Sequence, residues 1–174
     1  AALEDYFGLD YPFEKLDFVA VPDFAFGAME NPGLITYRTD LLMVGDEASG
    51  DTAELVVLVI AHEVAHIWYG DLVTMKWWDG IWLNEAFASW MEQRIVERLR
   101  PDWQMGLGRV EDRAYALSAD SLSTARRIRQ PIESRHDIEN AFDTMVRLQD
   151  QMETFTAGMM NQAPWVSSEN RETI

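Results

Sequence analysis

Residues 53–69 constrain this chain more than any other stretch. They are long enough for a helix, apolar on nearly all sides, and stopped by Gly70-Asp71. A helix of that composition is expected inside a core rather than on a surface. Its second half reads His62-Glu63-Val64-Ala65-His66. At about 3.6 residues per turn, positions 62 and 66 lie one above the other on one face. Both imidazoles can then reach one metal ion at about 2.0–2.1 Å. Glu63 is turned by about 100° from His62, near enough to touch a water on that ion without ligating it. Two neutral nitrogen ligands and a carboxylate base beside a water are what a metallohydrolase needs.

Two protein ligands leave such a site incomplete, because catalytic zinc usually takes three and keeps one position open. The chain offers Glu85, inside Trp82-Leu83-Asn84-Glu85-Ala86-Phe87-Ala88 and nineteen residues after His66. It falls in a second predicted helix, 81–99, which Pro101-Asp102 breaks. A tight antiparallel return brings that helix alongside the first. An acid among Trp, Leu, Ala and Phe is expensive to bury unless paired, and a dication would pair it. Asn84 and Asp79 are candidates to orient a zinc-bound imidazole. Asn84 serves equally well as helix-start chemistry.

The remaining pattern sets the fold class. Leu16–Val21 alternates and is rich in β-formers, and Leu34–Arg38 is a second strand. Between them, residues 24–33 carry two Gly and one Pro, which predicts an irregular or edge strand. Tyr6, Phe7, Tyr11 and Phe13 are core-type aromatics. The polar loop 45–52 ends in a helix N-cap, and 103–118 and 138–160 read as further helices. Strands first and helices after favour an α+β fold. At 174 residues the chain is one domain or a piece of a larger protein.

Charge narrows the partners. The net charge is −16, with 30 acids against 14 Lys plus Arg. That disfavours nonspecific binding to nucleic acid or to anionic lipid. The basic cluster Arg126, Arg127 and Arg129 is expected to pair with local acids. The absence of cysteine excludes disulfides, thiolate ligands and thiol nucleophiles. Residues 1–10 hold acids and no Lys or Arg, so no export signal is expected, and no apolar run reaches the roughly 18 residues that span a membrane, so no membrane insertion is expected; the compartment is left open, with a soluble, cytoplasmic chain favoured over a secreted one. The third histidine, His136, lies in a polar loop and reads as a surface residue. Trp68, Trp77, Trp78 and Trp82 read as core.

The string from His62 to His66, followed by eighteen residues and Glu85, resembles the gluzincin metallopeptidases. Upstream, Gly27-Ala28-Met29-Glu30-Asn31 is similar to the exopeptidase motif of the M1 aminopeptidases. The similarity runs from about Tyr6 to Asp143 and takes in Arg129-Gln130-Pro131-Ile132. It implies a partial thermolysin-like catalytic domain over 1–143, with the amino end of the protein missing, in which a small mixed sheet is followed by a mainly helical part carrying one zinc ion. His62, His66 and Glu85 would hold that ion, and Glu63 would be the general base. Glu30 would bind the α-ammonium of a peptide with a free N-terminus. The rest of its motif (Gly27, Ala28, Met29, Asn31) would bind substrate, with Gly27 and Ala28 offering backbone groups as an added strand does. The family also places a Tyr a few residues after a Phe-Asp pair to stabilise the oxyanion. Here Phe142-Asp143 is present, but the aligned position is Arg147. Residues 144–174 carry no recognisable family motif and read as a divergent helical or disordered tail. A zinc endopeptidase, or a zinc-binding chain with weak or no turnover, stand beside the aminopeptidase reading.

Overall fold

The structure, a computed structural model, describes residues 1–45, 48–105, 114, 117–118, 121–123, 125 and 127–141. A short helix α1 (Ala2–Phe7) comes first, then strands β1 (Asp17–Val21), β2 (Ala28–Met29) and β3 (Leu34–Arg38). Two long helices follow, α2 (Gly50–His66) and α3 (Ile81–Leu99). Strands therefore do not open the chain. The aromatics at 6 and 7 ride on α1, which ends on Gly8 in the left-handed conformation at φ 65°.

The three strands form a small mixed sheet in the order β1-β3-β2. β3 pairs in parallel with β1, Phe18 opposite Ile35, and antiparallel with β2, Ala28 opposite Tyr37. Alternation along β3 puts Ile35 and Tyr37 fully inside. β2 is the short edge strand that the Gly and Pro of 24–33 foreshadow.

Helix α2 starts at Gly50, three residues before the first apolar position of the pattern. Ser49 sets that start: its hydroxyl accepts from the Thr52 amide at 3.2 Å. The helix then packs on α3, and both feed one core with α1. Leu3, Tyr6, Trp68, Phe87, Trp90, Met91 and Ile95 fill that core, together with the fully buried Ala65 and Ala88, whose small side chains suit close approach of helices. Tyr11 and Phe13 pack against it from the loop after α1.

Two expectations about burial need correction. Helix α2 is not enclosed: Val57, Leu58, Val59 and Ile60 are half-buried and Leu55 is exposed. On the face away from His62, Val57, Ile60 and Val64 line a cleft of about 300 Å³ with Trp68, Ile95 and Leu99. Nor are the tryptophans uniformly core. Trp68 is buried and Trp82 partly so, but Trp77 and Trp78 lie exposed in the connection between α2 and α3.

Among the described residues no helix is long and apolar enough to cross a membrane. Pro101–Trp103 is a single 3-10 turn and residues 135–141 are helical. Most of 103–118, most of 138–160 and all of 144–174 lie outside the described residues, as do Phe142, Asp143, Arg147 and Arg126. Arg129 pairs with Asp79 at 2.7 Å, and His136 is exposed.

Candidate metal centre

The antiparallel return of α3 along α2 brings Glu85 to the two imidazoles. The His62 and His66 Nε2 atoms are 3.1 Å apart. Glu85 Oε2 lies 3.4 Å from the first and 3.7 Å from the second. One donor atom from each of the three side chains falls within 4.8 Å of the others, the spacing a single metal ion can bridge. His66 is almost fully buried, and His62 and Glu85 are half-buried.

The electrostatics of this cluster suit a cation. Burial alone would raise the Glu85 carboxyl, but hydrogen bonds to His62 and His66 override it and hold that carboxyl well below its usual range. Burial would likewise lower His62, yet its contacts with Glu85 and Glu92 raise it well above an ordinary histidine. His66 is raised in the same sense, against burial, by Glu85. A dication held between the rings would balance these acids with both imidazoles neutral. The donor set, two imidazole nitrogens and one carboxylate oxygen, is the one zinc takes in hydrolases.

Glu63 sits beside this cluster in a different state. Its side chain is buried, and Oε2 has no hydrogen-bond partner among the described residues. Burial pushes its carboxyl up to about 7; the neighbouring imidazoles oppose that and the acids Glu30 and Glu85 add to it. A carboxylate whose pKa lies near neutrality can both take and return a proton. The Tyr37 phenol, fully buried, is pushed well up by burial first and by Glu63 next.

The motif on β2 reaches the same place from the sheet. Glu30 follows the edge strand, and its Oε1 accepts from Asn84 Nδ2 at 3.3 Å and lies 3.8 Å from His66 Nδ1. The same Asn84 nitrogen donates to Glu85 Oε1 at 3.3 Å. One amide thus ties Glu30 to Glu85. Gly27 accepts from the Arg38 amide through its carbonyl at 2.8 Å, which sets the start of β2. Ala28 and Met29 are the paired residues of that strand. Asn31 is exposed and turns back on Met29 O and Thr36 Oγ1, so within its motif it braces the strand rather than joining the cluster.

The supports of the imidazoles differ from the sequence reading. Asp79 is engaged with Arg129, at 2.9 and 2.7 Å, on the other side of the connection. Asn84 lies in the second turn of α3, past the cap, and its amide serves the two acids instead of a ring. The His62 Nδ1 partner is Glu92, at 2.7 Å, and His66 Nδ1 faces the Tyr69 carbonyl at 3.3 Å. Sequence reasoning passed over Glu92, although its place seven residues after Glu85 puts both on one face of α3. In the sequence Gly70 signals only a helix stop. Its φ of +143° and the space around it make it more than that: a Cβ there would stand 2.5 Å from Asn84 Oδ1 and 3.3 Å from His66 Nδ1.

Residues 1–149 match the Peptidase family M1 domain. The chain belongs to peptidase family M1. The family match extends to both sides of the stretch from Tyr6 to Asp143 that carries the legible motifs. Among relatives of this M1 chain, Aminopeptidase 2 of Candida albicans is 47% identical over 144 residues, which is 82% of this chain and 16% of the relative. Alanine/arginine aminopeptidase of Saccharomyces cerevisiae is 44% identical over 144 residues, 82% of this chain and 17% of the relative. Glutamyl aminopeptidase of Bos taurus is 46% identical over 142 residues, 80% and 15%. The M1 chain therefore spans about 16% of the length of the relatives it matches. Its small mixed sheet with two long helices fits that family domain.

Proposed function

We propose that this chain is the core of a thermolysin-like zinc aminopeptidase that hydrolyses the first peptide bond of peptides with a free N-terminus. The observation that carries the reading is Glu30 at 3.8 Å from His66 Nδ1 and bridged to Glu85 by Asn84, so that a further acid stands beside a three-donor metal cluster.

His62, His66 and Glu85 would hold the ion. Zinc supplies Lewis acidity to a carbonyl and lowers the pKa of water from about 15.7 to near 7. Glu63 takes a proton from the attacking water and returns it to the departing amine. Its buried oxygen, unpartnered among the described residues, and a carboxyl pushed up to about 7 by burial suit both transfers. Glu30 meets the substrate α-ammonium, a charge match that strengthens where water is scarce. An α-ammonium held by Glu30 beside the cluster would put the cut one residue in. Among the described residues β2 is an edge strand paired only with β3, so its other edge can take the substrate backbone as a further strand.

The test pairs aminoacyl anilides with their N-acetylated counterparts, using the zinc-loaded chain and its Glu63→Gln variant. Turnover of the free-amine substrate only, lost by about 10²–10⁴-fold in the variant with zinc retained, is the expected result. Equal cleavage of N-blocked substrates would make the chain an endopeptidase. Full zinc occupancy with no turnover of either would leave a binding protein.

A further inference from the structure

We propose that Glu92 is the residue that fixes His62 as a ligand, by holding the proton on Nδ1 so that Nε2 faces the metal cluster. This rests on the zinc reading above. Both Nε2 atoms point into the cluster, 3.1 Å from each other. Each ring therefore needs its Nδ1 to carry the proton and to donate it outward. The two rings meet that need unequally. His62 donates to a carboxylate, Glu92 Oε2, at 2.7 Å, while His66 Nδ1 faces the neutral Tyr69 carbonyl at 3.3 Å and has the Glu30 carboxylate farther off, at 3.8 Å.

Helix geometry explains why Glu92 is available. Seven residues turn α3 through about 700°, within about 20° of two full turns. Glu85 and Glu92 thus share a face, and His62 lies between them, 3.4 Å from one and 2.7 Å from the other. Glu92 is itself largely buried, with 13% of its side chain exposed. A carboxylate so placed needs a partner, and His62 is that partner. The contact fixes the tautomer, aims the ring and raises the basicity of Nε2. α3 thereby supplies one ligand directly and orients another that belongs to α2.

The test measures zinc affinity of the full chain by competition with a chromophoric chelator, for wild type, Glu92→Gln and Glu92→Ala. A second readout is the Nδ1–H resonance of each imidazole in the metal-free chain. Glu92→Ala is expected to weaken zinc binding by about 10–100-fold. Glu92→Gln, the same size and still an acceptor, is expected to fall between and keeps the proposal testable should the alanine variant misfold. In both, the His62 signal moves and the His66 signal stays. Wild-type affinity in a folded Glu92→Gln chain with an unmoved His62 signal would overturn the proposal and leave the zinc site standing. A wild-type chain that takes up no zinc would overturn the zinc reading, and the role of Glu92 with it.

Discussion

Gly70 shows how much of the centre rests on one residue with no side chain. It occupies a φ of +143°, open to glycine and hostile to other residues, and Asn84 Oδ1 and His66 Nδ1 close in where a Cβ would go. Gly70→Ala is therefore expected to cost more than about 1 kcal/mol and to displace Asn84 from its two acids. Thermal unfolding of the variant checks the first part; an unchanged Tm would contradict it. What was legible at this scale was chemistry carried by spacing. His62, Glu63 and His66 can be read from helical periodicity and Glu85 from the return of the next helix, and the structure brings one donor atom of His62, His66 and Glu85 within 4.8 Å of one another. The partners of the rings could not be read so. Asn84 and Asp79 are near in sequence, but hydrogen bonding follows the direction of each side chain. That direction sends Asp79 to Arg129 and leaves the His62 ring to Glu92, thirty residues away.

Among the elements, α2 is the one whose length and exposure differ most from its pattern. Hydrophobicity alone begins it at Ala53, because a polar first turn is invisible to an apolar count. The Ser49 hydroxyl extends it back to Gly50. Ser49→Ala removes that acceptor and is expected to cost about 1 kcal/mol in urea unfolding, with little change in zinc affinity, since His62 and His66 lie at the far end. An unaltered midpoint would deny the cap its role. The apolar run was also read as a sign of enclosure. The described elements cover only part of it, and the uncovered part lines the cleft with Val57, Ile60 and Val64. The order of strands and helices was readable, whereas α1 was not: six residues without a capping side chain give periodicity too little to work on. Packing of α3 is the element-level weight of the core. Met91→Ala, at a fully buried position, is expected to destabilise by about 2–5 kcal/mol, again by urea unfolding.

At the scale of the whole molecule, two properties stand out. The described surface carries large apolar groups in the open, Phe26 at 68% exposure and Met43 at 69% among them. Relatives of this chain are several times longer, and such groups are what an interface would cover. A dye that fluoresces on apolar surface is expected to bind the folded chain, and absence of binding would argue that these groups are sheltered. The second property is that the centre joins three separate parts of the fold: β2, α2 and α3. An ion held by His62 and His66 of α2 and Glu85 of α3 would tie those two helices together, so stripping it with a chelator is expected to lower the Tm, and excess zinc at about 100 times its dissociation constant to restore about 2.7 kcal/mol. The most direct measurement is diffraction from zinc-soaked crystals with anomalous data collected at the zinc edge. One peak, about 2.0–2.2 Å from His62 Nε2, His66 Nε2 and a Glu85 carboxylate oxygen, is the predicted result. A peak elsewhere, or none between those three side chains, would contradict it.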